Sequence, residues 1–468
     1  METLSLDEIA KATNGKLTVD DSGIKIKSIS TDSRNIQKGA LFFAIKGGQH
    51  NGHAYIPQAK KDGAVGAVVS CQFTPDTECM DFPMIRVPDT TIALGDLAKY
   101  YRHKLGTKII GITGTNGKTT TKEMTHHVIS HFGSVAKSPK SFNNCIGVPL
   151  TIFQIEKHHQ YGVVEMGTNA PGEIRRLSEI SAPDIAVITN ISKAHLEGLG
   201  NINGVAMAKS EILEYLNKDG TFIYNMDNPW CVTIADNFYG KKISFGFNPS
   251  SQICCRNVTK KNIGYSLLIN ENLETYLPVM GYHNIYNCLA AFAICHALGH
   301  DIYHLKDAFS SFKLPSMRIE REQIGKVTVI NDAYNANPVS MRTALQYLSE
   351  YASAGRKVFI CGDMLELGNE SGQLHREIGE TVAHLDIDLL WTVGKHASEI
   401  ADAATSSGMP KSRVHSFKDA EEVSLREINQ IEENDTILIK GSRGMHMERI
   451  AEKIRKIFLN RLSVNTCV

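Results

Sequence analysis

The sequence has no excess charge of either sign, because 50 lysine and arginine residues balance 50 aspartate and glutamate residues. Proteins that act on nucleic acid usually carry a basic excess or a basic stripe. The short pairs Lys241-Lys242 and Lys260-Lys261 provide neither, and we interpret them as solvated loop charge. The charge balance therefore argues against a nucleic-acid partner.

Long apolar runs and paired cysteines are also missing. No stretch reaches the roughly 18 apolar residues that a membrane-spanning helix needs, and the segment from Met1 to Glu8 is acidic and unlike a signal peptide. The ten cysteines are scattered without a CxxC pair, so neither a disulfide framework nor a structural zinc site is expected. We expect a cytoplasmic protein with reduced thiols and no membrane role.

The material that is present predicts a globular protein of three domains. Apolar residues make up 42% of the chain and charged residues 21%, which suits more than one core. At about 100 to 200 residues per domain, 468 residues predict three domains. We predict an α/β protein with a small mixed α/β domain at 1–105, a central domain with a parallel sheet at 106–316, and a doubly wound, Rossmann-like domain at 317–468.

Short apolar runs predict the strands of these domains, and several lack the alternation of a half-buried strand, as expected for a parallel sheet. The predicted strands are 24–30, 41–45, 65–69, 84–87, 108–113, 162–166, 185–191, 221–225, 327–331, 358–361, 389–393 and 436–440. The alternating stretch from Ser244 to Tyr276 predicts an antiparallel appendage. Helices are predicted at 92–101 and 283–298. Another begins at Asn337-Pro338, since Asn is a favoured cap and Pro a favoured first helical residue.

The sharpest local pattern is a glycine-rich turn between an apolar strand and a helix, from Gly111 to Thr120. Such a turn lets several backbone N–H groups point at one phosphate chain. Lys118 would reach the outer phosphates, and Thr119 would offer its hydroxyl to Mg²⁺. The common pattern has a glycine where this chain has Ile112, so an ordinary glycine-rich turn remains the alternative.

Three further residues are candidates for the same site, and each has an ordinary alternative. Glu165 ends an apolar strand, where a carboxylate can face the ligand crevice of a parallel sheet or simply lie at the surface. His195 follows the next strand, and its alternative is a surface or capping histidine. Lys209, by its pattern alone, is a plain helix lysine.

The order of these segments resembles the Mur ligase family over nearly the whole chain. The matching segments are Thr-Gly-Thr-Asn-Gly-Lys-Thr-Thr at 113–120, then Glu165, then Asn-Ile-x-x-Ala-His at 190–195, then Ala-Lys-x-Glu at 208–211. Members of this family have a UDP-sugar substrate domain, an ATPase domain and a Rossmann-like domain. They activate a carboxylate as an acyl phosphate with ATP, and an amine then displaces phosphate to give an amide. The resemblance thus implies an amide-bond-forming ligase.

The resemblance also implies roles for individual residues. The implied metal ligands, for two Mg²⁺ sites, are Thr119, Glu165, His195 and Lys209, the last as a carbamate that converts a cation into an anionic ligand. The implied catalytic residues are Lys118, Glu165, His195, Lys209 and Arg318. The implied ATP contacts are Gly114, Thr115, Asn116, Gly117, Lys118, Thr119, Thr120, Asn284, Asn287, Arg318 and Asp332. Asp332 would meet the ribose, and its alternative is a strand-end cap.

Other segments resemble the family's substrate contacts. In the first region, Thr31 to Arg34 and Asn51 to His53 resemble the uridine and diphosphate contacts, and 141–149 resembles the segment that meets the muramoyl peptide. The implied substrate-binding residues are Ser33, Arg34, Gly52, His53, Asn143, Asn144, Asn335 and Asn337. Asp-Ser-Arg and Asn-Gly are also ordinary turn chemistry, so that alternative stays open.

Three runs, at 334–338, 362–368 and 440–443, resemble the family member that joins D-alanyl-D-alanine to UDP-N-acetylmuramoyl-tripeptide in peptidoglycan precursor synthesis. The Asp-Asn-Pro-Arg motif of the relative that adds the third amino acid is absent from the third region; Asp227-Asn228-Pro229 lies in the middle region and is followed by Trp230. We therefore expect a monomer that uses ATP and these two small-molecule substrates. The rival readings are another ligase of the superfamily, such as a folylpolyglutamate synthase, a phosphate-loop kinase or NTPase of another class, and a non-catalytic nucleotide-binding regulator.

Overall fold

The first region of the computed structural model, which describes residues 1–18, 23–48, 50–351 and 353–465, is a small mixed α/β unit. Its strands are β1 (Leu4–Ser5), β2 (Lys16–Leu17), β3 (Lys25–Ile26), β4 (Ser28–Ser30), β5 (Ala40–Phe43), β6 (Ala64–Ser70) and β7 (Met84–Val87), and its helices are α1 (Leu6–Ala12), α2 (Ile56–Lys61) and α3 (Thr90–Arg102). The sheet order is β2-β7-β6-β5-β4, with β4 to β7 parallel and β2 antiparallel. The mixed character predicted for this region is confirmed.

The central region is built on a mainly parallel sheet. Its elements are β8 (Lys108–Thr113), α4 (Lys118–Ile129), β9 (Val135–Lys137), α5 (Gly147–Phe153), β10 (Tyr161–Glu165), α6 (Glu173–Ser181), β11 (Ile185–Ile188), α7 (Leu196–Leu199), α8 (Ile202–Ser210), β12 (Thr221–Asn225), α9 (Pro229–Asp236), β13 (Lys241–Gly246), β14 (Ile253–Lys260), β15 (Tyr265–Ile269), β16 (Leu273–Leu277) and α10 (His283–Ala297). The sheet order is β16-β15-β14-β13-β12-β11-β8-β10-β9, and within it the strands from β14 to β9 are parallel to one another.

The prediction that the antiparallel appendage begins at Ser244 is wrong. β13 is a parallel member of the main sheet, and its residues from Ile243 to Gly246 are buried. The antiparallel pairing begins at β14 and continues through β15 and β16 along the same sheet edge. The strong alternation of buried and exposed residues lies in β16, because only strands with one solvated face show it.

Both faces of the central sheet are covered, so its strands are buried on both sides. Ile110 and Ile112 of β8 pack in one apolar cluster with α4 and α10, whereas Ile109 belongs to a second cluster with α3, α5 and α6. Successive side chains of a strand point to opposite faces, so this division places a helical layer on each side. The carboxyl ends of β8, β10 and β11 therefore meet at one edge of the sheet.

The third region repeats this arrangement. Its elements are β17 (Glu320–Ile324), β18 (Val327–Asp332), α11 (Pro338–Glu350), β19 (Lys357–Gly362), α12 (Ser371–His384), β20 (Leu389–Val393), α13 (Ala397–Ser406), β21 (Val414–Phe417), α14 (Leu425–Ile428), β22 (Thr436–Lys440) and α15 (Glu448–Asn465). The order is β17-β18-β22-β19-β20-β21, and only the pair β17–β18 among these is antiparallel. Alternate residues of β19 pack against α11 to α13 on one face and against α15 on the other, which confirms the doubly wound, Rossmann-like fold.

Each large sheet takes its strands from one of the three predicted regions. The boundaries near 106 and 316 stay a prediction. Within the described part of the chain, no helix is long and apolar enough to cross a membrane.

Trp391 offers a test of packing in the third region. Its side chain is fully buried in β20, and its indole N–H has no hydrogen-bond partner among the described residues. A buried unpaired donor costs about 1–3 kcal/mol, so Trp391→Phe is expected to keep or raise the midpoint of urea unfolding. Trp391→Ala should instead lower the stability of this region by about 3–5 kcal/mol. Urea unfolding followed by circular dichroism measures the stability of both variants. An equal loss of stability in the two would contradict the conclusion that the indole N–H is unpaired.

Candidate active site

The turn between β8 and α4 has the backbone of a phosphate-binding loop. Gly114 has φ of +141° and Gly117 has φ of +83°. A Cβ atom at Gly117 would lie 2.3 Å from Asn287 Oδ1, and one at Gly114 would lie 2.0 Å from Thr189 Oγ1. Only glycine fits both the dihedral angles and the space. The helix begins at Lys118, so its N-terminus and the positive end of its dipole face the loop.

Lys118 folds back over this loop. Its Nζ donates to the carbonyl oxygens of Gly114, at 2.8 Å, and Thr115, at 3.1 Å. The pKa of Lys118 is lowered to about 8, chiefly by burial, with Glu165 acting to raise it and Arg318 to lower it. The ammonium thus lies within electrostatic range of a carboxylate and of a guanidinium from the third region.

Glu165 is a buried carboxylate, and only one of its two oxygens accepts a hydrogen bond from the described residues. It ends β10 in register with Ile112 of β8 and is 1% exposed. Its Oε1 accepts from Asn143 Nδ2 at 2.9 Å, whereas Oε2 has no hydrogen-bond partner among the described residues. The nearest counter-charge is Lys122 Nζ, 3.5 Å from Oε2. The alternative of a surface carboxylate is therefore wrong, and the free oxygen is available to a ligand.

Lys122 is a site residue that the sequence analysis missed. Its side chain is fully buried, it also lies 3.3 Å from Glu123 Oε1, and its ammonium donates to the carbonyl of Lys140. It is one turn of α4 beyond Lys118, at the spacing that places two side chains on one helix face. That spacing was the only available signal, and the local pattern does not distinguish it from an ordinary helix lysine.

Lys209 of α8 is also fully buried, so the alternative of a solvated helix lysine is wrong. Its Nζ has no hydrogen-bond partner within the described ranges. Burial holds the pKa of Lys209 well below its usual value; Lys118 lowers it further, whereas Glu173 and Glu211 act in the opposite sense. Its burial therefore favours the neutral amine over the ammonium.

His195 lies in the loop before α7 with φ of +53°. Its Nδ1 contacts the carboxylate of Glu366 in the third region, and this contact holds the pKa of Glu366 below its usual value. Its side chain is 20% exposed. The side chain of His195 makes no capping hydrogen bond to α7, so the alternative of a capping histidine is not supported.

The third region also touches the phosphate loop directly. Arg318 Nη2 donates to Thr119 Oγ1 at 2.8 Å, and its guanidinium lies 4.1 Å from the ring centre of Tyr334. Asn337, the cap of α11, donates to Asn116 Oδ1 at 2.7 Å and accepts from Asn116 Nδ2 at 3.3 Å. Two residues from beyond position 316 are thereby fixed against the loop.

Asp332 has both carboxylate oxygens engaged by the protein. Oδ2 lies 2.6 Å from Lys440 Nζ, and Oδ1 accepts from the backbone N–H of Ile319 at 3.1 Å. This arrangement is that of a strand-end residue that orders the chain before β17. The ribose contact stays a prediction. Lys440 also donates to the carbonyl of Asn335, an exposed residue, at 3.0 Å.

Asn284 and Asn287 support the loop from α10. Asn287 Nδ2 donates to Asn284 Oδ1 at 3.0 Å, and Asn287 Oδ1 accepts from Thr121 Oγ1 at 3.1 Å. Asn284 Nδ2 donates to Met280 O at 2.7 Å. Both amides are buried and brace the loop in this way. Their contact with adenine stays a prediction. The buried Thr115 and Thr120 complete the loop, with Thr115 Oγ1 bonded to Ser192.

The candidates of the first region lie in a separate area, and their geometry is that of turns. Arg34 pairs with Asp32 at 2.8–2.9 Å on the surface, in the short turn that contains Ser33. His53 is buried; Nδ1 contacts Asn51 Oδ1 at 2.8 Å and Nε2 accepts from a backbone N–H at 2.9 Å. Burial lowers the pKa of His53, so it is held neutral within the fold.

A cleft of about 860 Å³ lies between the first region and residues 141–156. It is lined by Met1, Lys27, Ser28, Ile29, Ser30, Thr31, Asp32, Asn35, Gln37, Ser141, Phe142, Asn144, Ile146, Gly147, Leu150, Phe153, Gln154 and Glu156. Asn144 is thus placed on the cleft wall. Ser33, Arg34, Gly52 and His53 are not among its described lining residues, and the backbone of Gly52 instead packs against Ile45.

Comparison with known proteins agrees with this fold. Three family models match: a Mur ligase family catalytic domain at 25–102, a Mur ligase middle domain at 112–295, and a Mur ligase glutamate ligase domain at 317–443. The chain belongs to the Mur ligase family.

Several relatives that match most of the chain share the name of one Mur ligase. The chain is 36% identical to the UDP-N-acetylmuramoyl-tripeptide--D-alanyl-D-alanine ligase of Bacillus subtilis (strain 168), over 92% of this chain and 93% of that one. It is 32% identical to the ligase of the same name from Escherichia coli (strain K12), over 97% and 99%. A crystal structure of MurF from Acinetobacter baumannii superposes with a TM-score of 0.88 at 31% identity, covering 97% of this chain and 99% of that chain.

The loop glycines provide a matched test of the geometry. Gly117→Ala introduces both a positive φ and a clash with Asn287, whereas Gly172→Ala introduces only the positive φ, because no atom lies within 4 Å of its Cβ position. Gly172→Ala should cost about 1–2 kcal/mol of stability. Gly117→Ala should cost a further 1–3 kcal/mol or so from overpacking, and Asn287→Ala should recover that part. Thermal unfolding of the single and double variants measures this coupling; equal effects of the two glycine substitutions would contradict it.

Proposed function

We propose that this protein is the ligase that joins D-alanyl-D-alanine to UDP-N-acetylmuramoyl-tripeptide with ATP, giving ADP and phosphate in peptidoglycan precursor synthesis. The observation that carries the proposal is the proximity of Lys118, in the phosphate loop, to the buried side chains of Glu165 and Lys209. Glu165 Oε2 and Lys209 Nζ have no hydrogen-bond partner among the described residues. Relatives of this name that match the chain over more than nine-tenths of its length support the choice of substrates.

ATP is the nucleotide that the central region would bind. The N–H groups from Gly117 to Thr119, at the start of α4, would surround its β- and γ-phosphates, whereas those of Thr115 and Asn116 are bonded to Asn190. Lys118 would move its ammonium from the loop carbonyls to the phosphate oxygens, which are stronger acceptors because they are charged. Asn284 and Asn287 would lie toward the adenine, and Asp332 toward the ribose.

Magnesium fits the residues on this sheet edge. Among the described residues no group of three or more His, Cys, Asp and Glu side chains is arranged to hold a metal, so a hydroxyl and a modified lysine would have to supply the remaining ligands. Thr119, Glu165, His195 and Lys209 are the proposed set. Bound Mg²⁺ would offset the negative charge where a carboxylate meets the triphosphate.

Lys209 is suited to carbamylation because burial lowers the pKa of its amine and so favours the neutral, nucleophilic form. The amine nitrogen forms a bond to the carbon of CO₂, one proton leaves the nitrogen, and the product is an anionic carbamate. The repulsion from Lys118 that now lowers the pKa of Lys209 would become an attraction. The change thus converts an unpaired buried group into a charged partner for its cationic neighbours.

The reaction follows from these positions. The terminal carboxylate of the UDP-muramoyl-tripeptide attacks the γ-phosphorus, the bond to ADP breaks, and an acyl phosphate forms. Lys118, Arg318 and the N-terminus of α4 stabilise the charge on the transferred phosphoryl group. The amine of D-alanyl-D-alanine then attacks the acyl carbon and displaces phosphate. His195 and Glu165 would remain in their metal-binding positions during both steps.

The three regions divide the substrates between them in this proposal. Residues 1–105 hold the UDP-muramoyl part, and the cleft beside Asp32, Asn35 and Asn144 is large enough for a bulky polar ligand. Residues 106–316 hold ATP, and residues 317–468 present Arg318, Asn335 and Asn337 to the reacting ends. We further propose a cytoplasmic enzyme that acts as a monomer.

Phosphate release separates this proposal from its rivals. We expect release from Mg-ATP to require both UDP-N-acetylmuramoyl-tripeptide and D-alanyl-D-alanine, with the pentapeptide product observed by mass spectrometry. Lys118→Ala should abolish turnover. A folylpolyglutamate synthase or another Mur enzyme would need a different acceptor or amine. An NTPase would release phosphate independently of the amine, and a kinase would transfer the phosphoryl group to an acceptor without releasing phosphate. Release that ignores D-alanyl-D-alanine would overturn the substrate assignment.

Removal of Lys209 tests the carbamate. Lys209→Ala should lose nearly all activity, and a short carboxylic acid such as acetate should restore part of it by supplying the missing oxygen ligand. Lys218→Ala, at an exposed position beyond α8, is the control and should be fully active and insensitive to acetate. Full activity of Lys209→Ala without acetate would exclude the carbamate.

A further inference from the structure

The segment from Asp363 to Leu367, after β19, lacks regular structure but is anchored by several hydrogen bonds. Asp363 accepts backbone N–H groups from the start of α13. The N–H of Met364 donates to Nε2 of the fully buried His375 at 2.9 Å, and the N–H of Leu365 donates to Ser442 Oγ at 2.8 Å. Each bond anchors one residue of the segment, so the residue that follows is placed accurately.

That residue, Glu366, extends from the third region to the central region. It has φ of +64°, and its carboxylate contacts Nδ1 of His195, which itself has φ of +53°. The carbonyl of Glu366 accepts from the N–H of Glu197 at 3.2 Å, and a Cβ atom added at Gly368 would lie 3.4 Å from the Cα of Glu197. Two non-glycine residues in the left-handed conformation, which is sterically costly for L-residues, therefore face each other. Strain of this kind persists only where surrounding contacts fix it.

We propose that Glu366 is a positioning residue for His195. By accepting from Nδ1–H, the carboxylate fixes the tautomer in which Nε2 is unprotonated, which is the form in which an imidazole ligates a cation. It also fixes the orientation of the ring. The inference rests on the proposed role of His195 toward Mg²⁺, and it makes cation affinity depend on the docking of the third region.

A neighbouring ion pair provides the matched control. Lys193 Nζ lies 2.6 Å from Glu370 Oε2 and joins the same two segments. Glu370 touches no proposed cation ligand, and its side chain is as exposed as that of Glu366, 41% against 48%. If Glu366 only helped to dock the third region, removal of either carboxylate would have a similar effect.

The test is cation binding without the peptide substrates. Mn²⁺ is titrated into the protein with ADP and followed by electron paramagnetic resonance. Glu366→Ala should raise the dissociation constant of Mn²⁺ by about 10- to 100-fold, Glu366→Gln should raise it less, and Glu370→Ala should leave it near the wild-type value. Long-range ¹H–¹⁵N spectra should show the Nδ1–H tautomer of His195 in the wild type and a mixture in Glu366→Ala.

The outcomes separate this inference from the proposed function. Wild-type affinity in Glu366→Ala, or an equal loss in Glu370→Ala, overturns the positioning role. His195→Ala that binds Mn²⁺ normally overturns it as well. Because neither UDP-muramoyl-tripeptide nor D-alanyl-D-alanine is present, the result does not depend on the ligase assignment, which the phosphate-release assay decides alone. Thermal unfolding shows whether each variant folds, and Glu366→Gln, which is nearly isosteric, serves if Glu366→Ala does not.

Discussion

Buried charge at the carboxyl edge of the central sheet is the constraint on which the site depends. Lys122, Lys209 and Glu165 are all at most 1% exposed, although removing an ion from water costs several kcal/mol. Glu165 and Lys122 offset this cost for each other, and Lys118 does so through the loop carbonyls. Lys209 Nζ has no hydrogen-bond partner among the residues that the structure describes, and burial lowers its pKa, which favours the neutral amine. This preference is a direct consequence of where α8 packs.

The sequence predicted the elements that are buried on both faces and missed those at the edges. β8, β12, β20 and β22 have the predicted bounds, because a continuous apolar run bounded by polar residues has a single interpretation. β17 and β21 were not predicted; β17 is a charged hairpin strand and β21 a partly exposed edge strand. In such strands pairing with the neighbour determines the structure, and that pairing is not encoded locally.

The site residues likewise fall into those that the sequence predicted and those that it missed. The phosphate loop was predictable because its glycines and Lys118 are adjacent in the chain, and the strand-end position of Glu165 follows from the fold class. The burial of Lys209 and Lys122 was not, since a helix pattern does not show how closely neighbouring elements cover one residue. The contact of Glu366 with His195 joins residues 171 positions apart, so only the arrangement of whole regions could reveal it.

The contacts between the third region and the loop have one physical implication for ligand binding. Arg318 donates to the hydroxyl of Thr119, the same oxygen that is proposed to bind a cation. A guanidinium and a divalent cation repel each other, so both cannot lie against that oxygen at once. A bound triphosphate resolves the conflict, because its oxygens attract both charges. Arg318 would therefore leave Thr119 for the phosphates as the metal and nucleotide enter, while the Asn116–Asn337 pair, which carries no charge, can persist and hold the third region in place during the exchange.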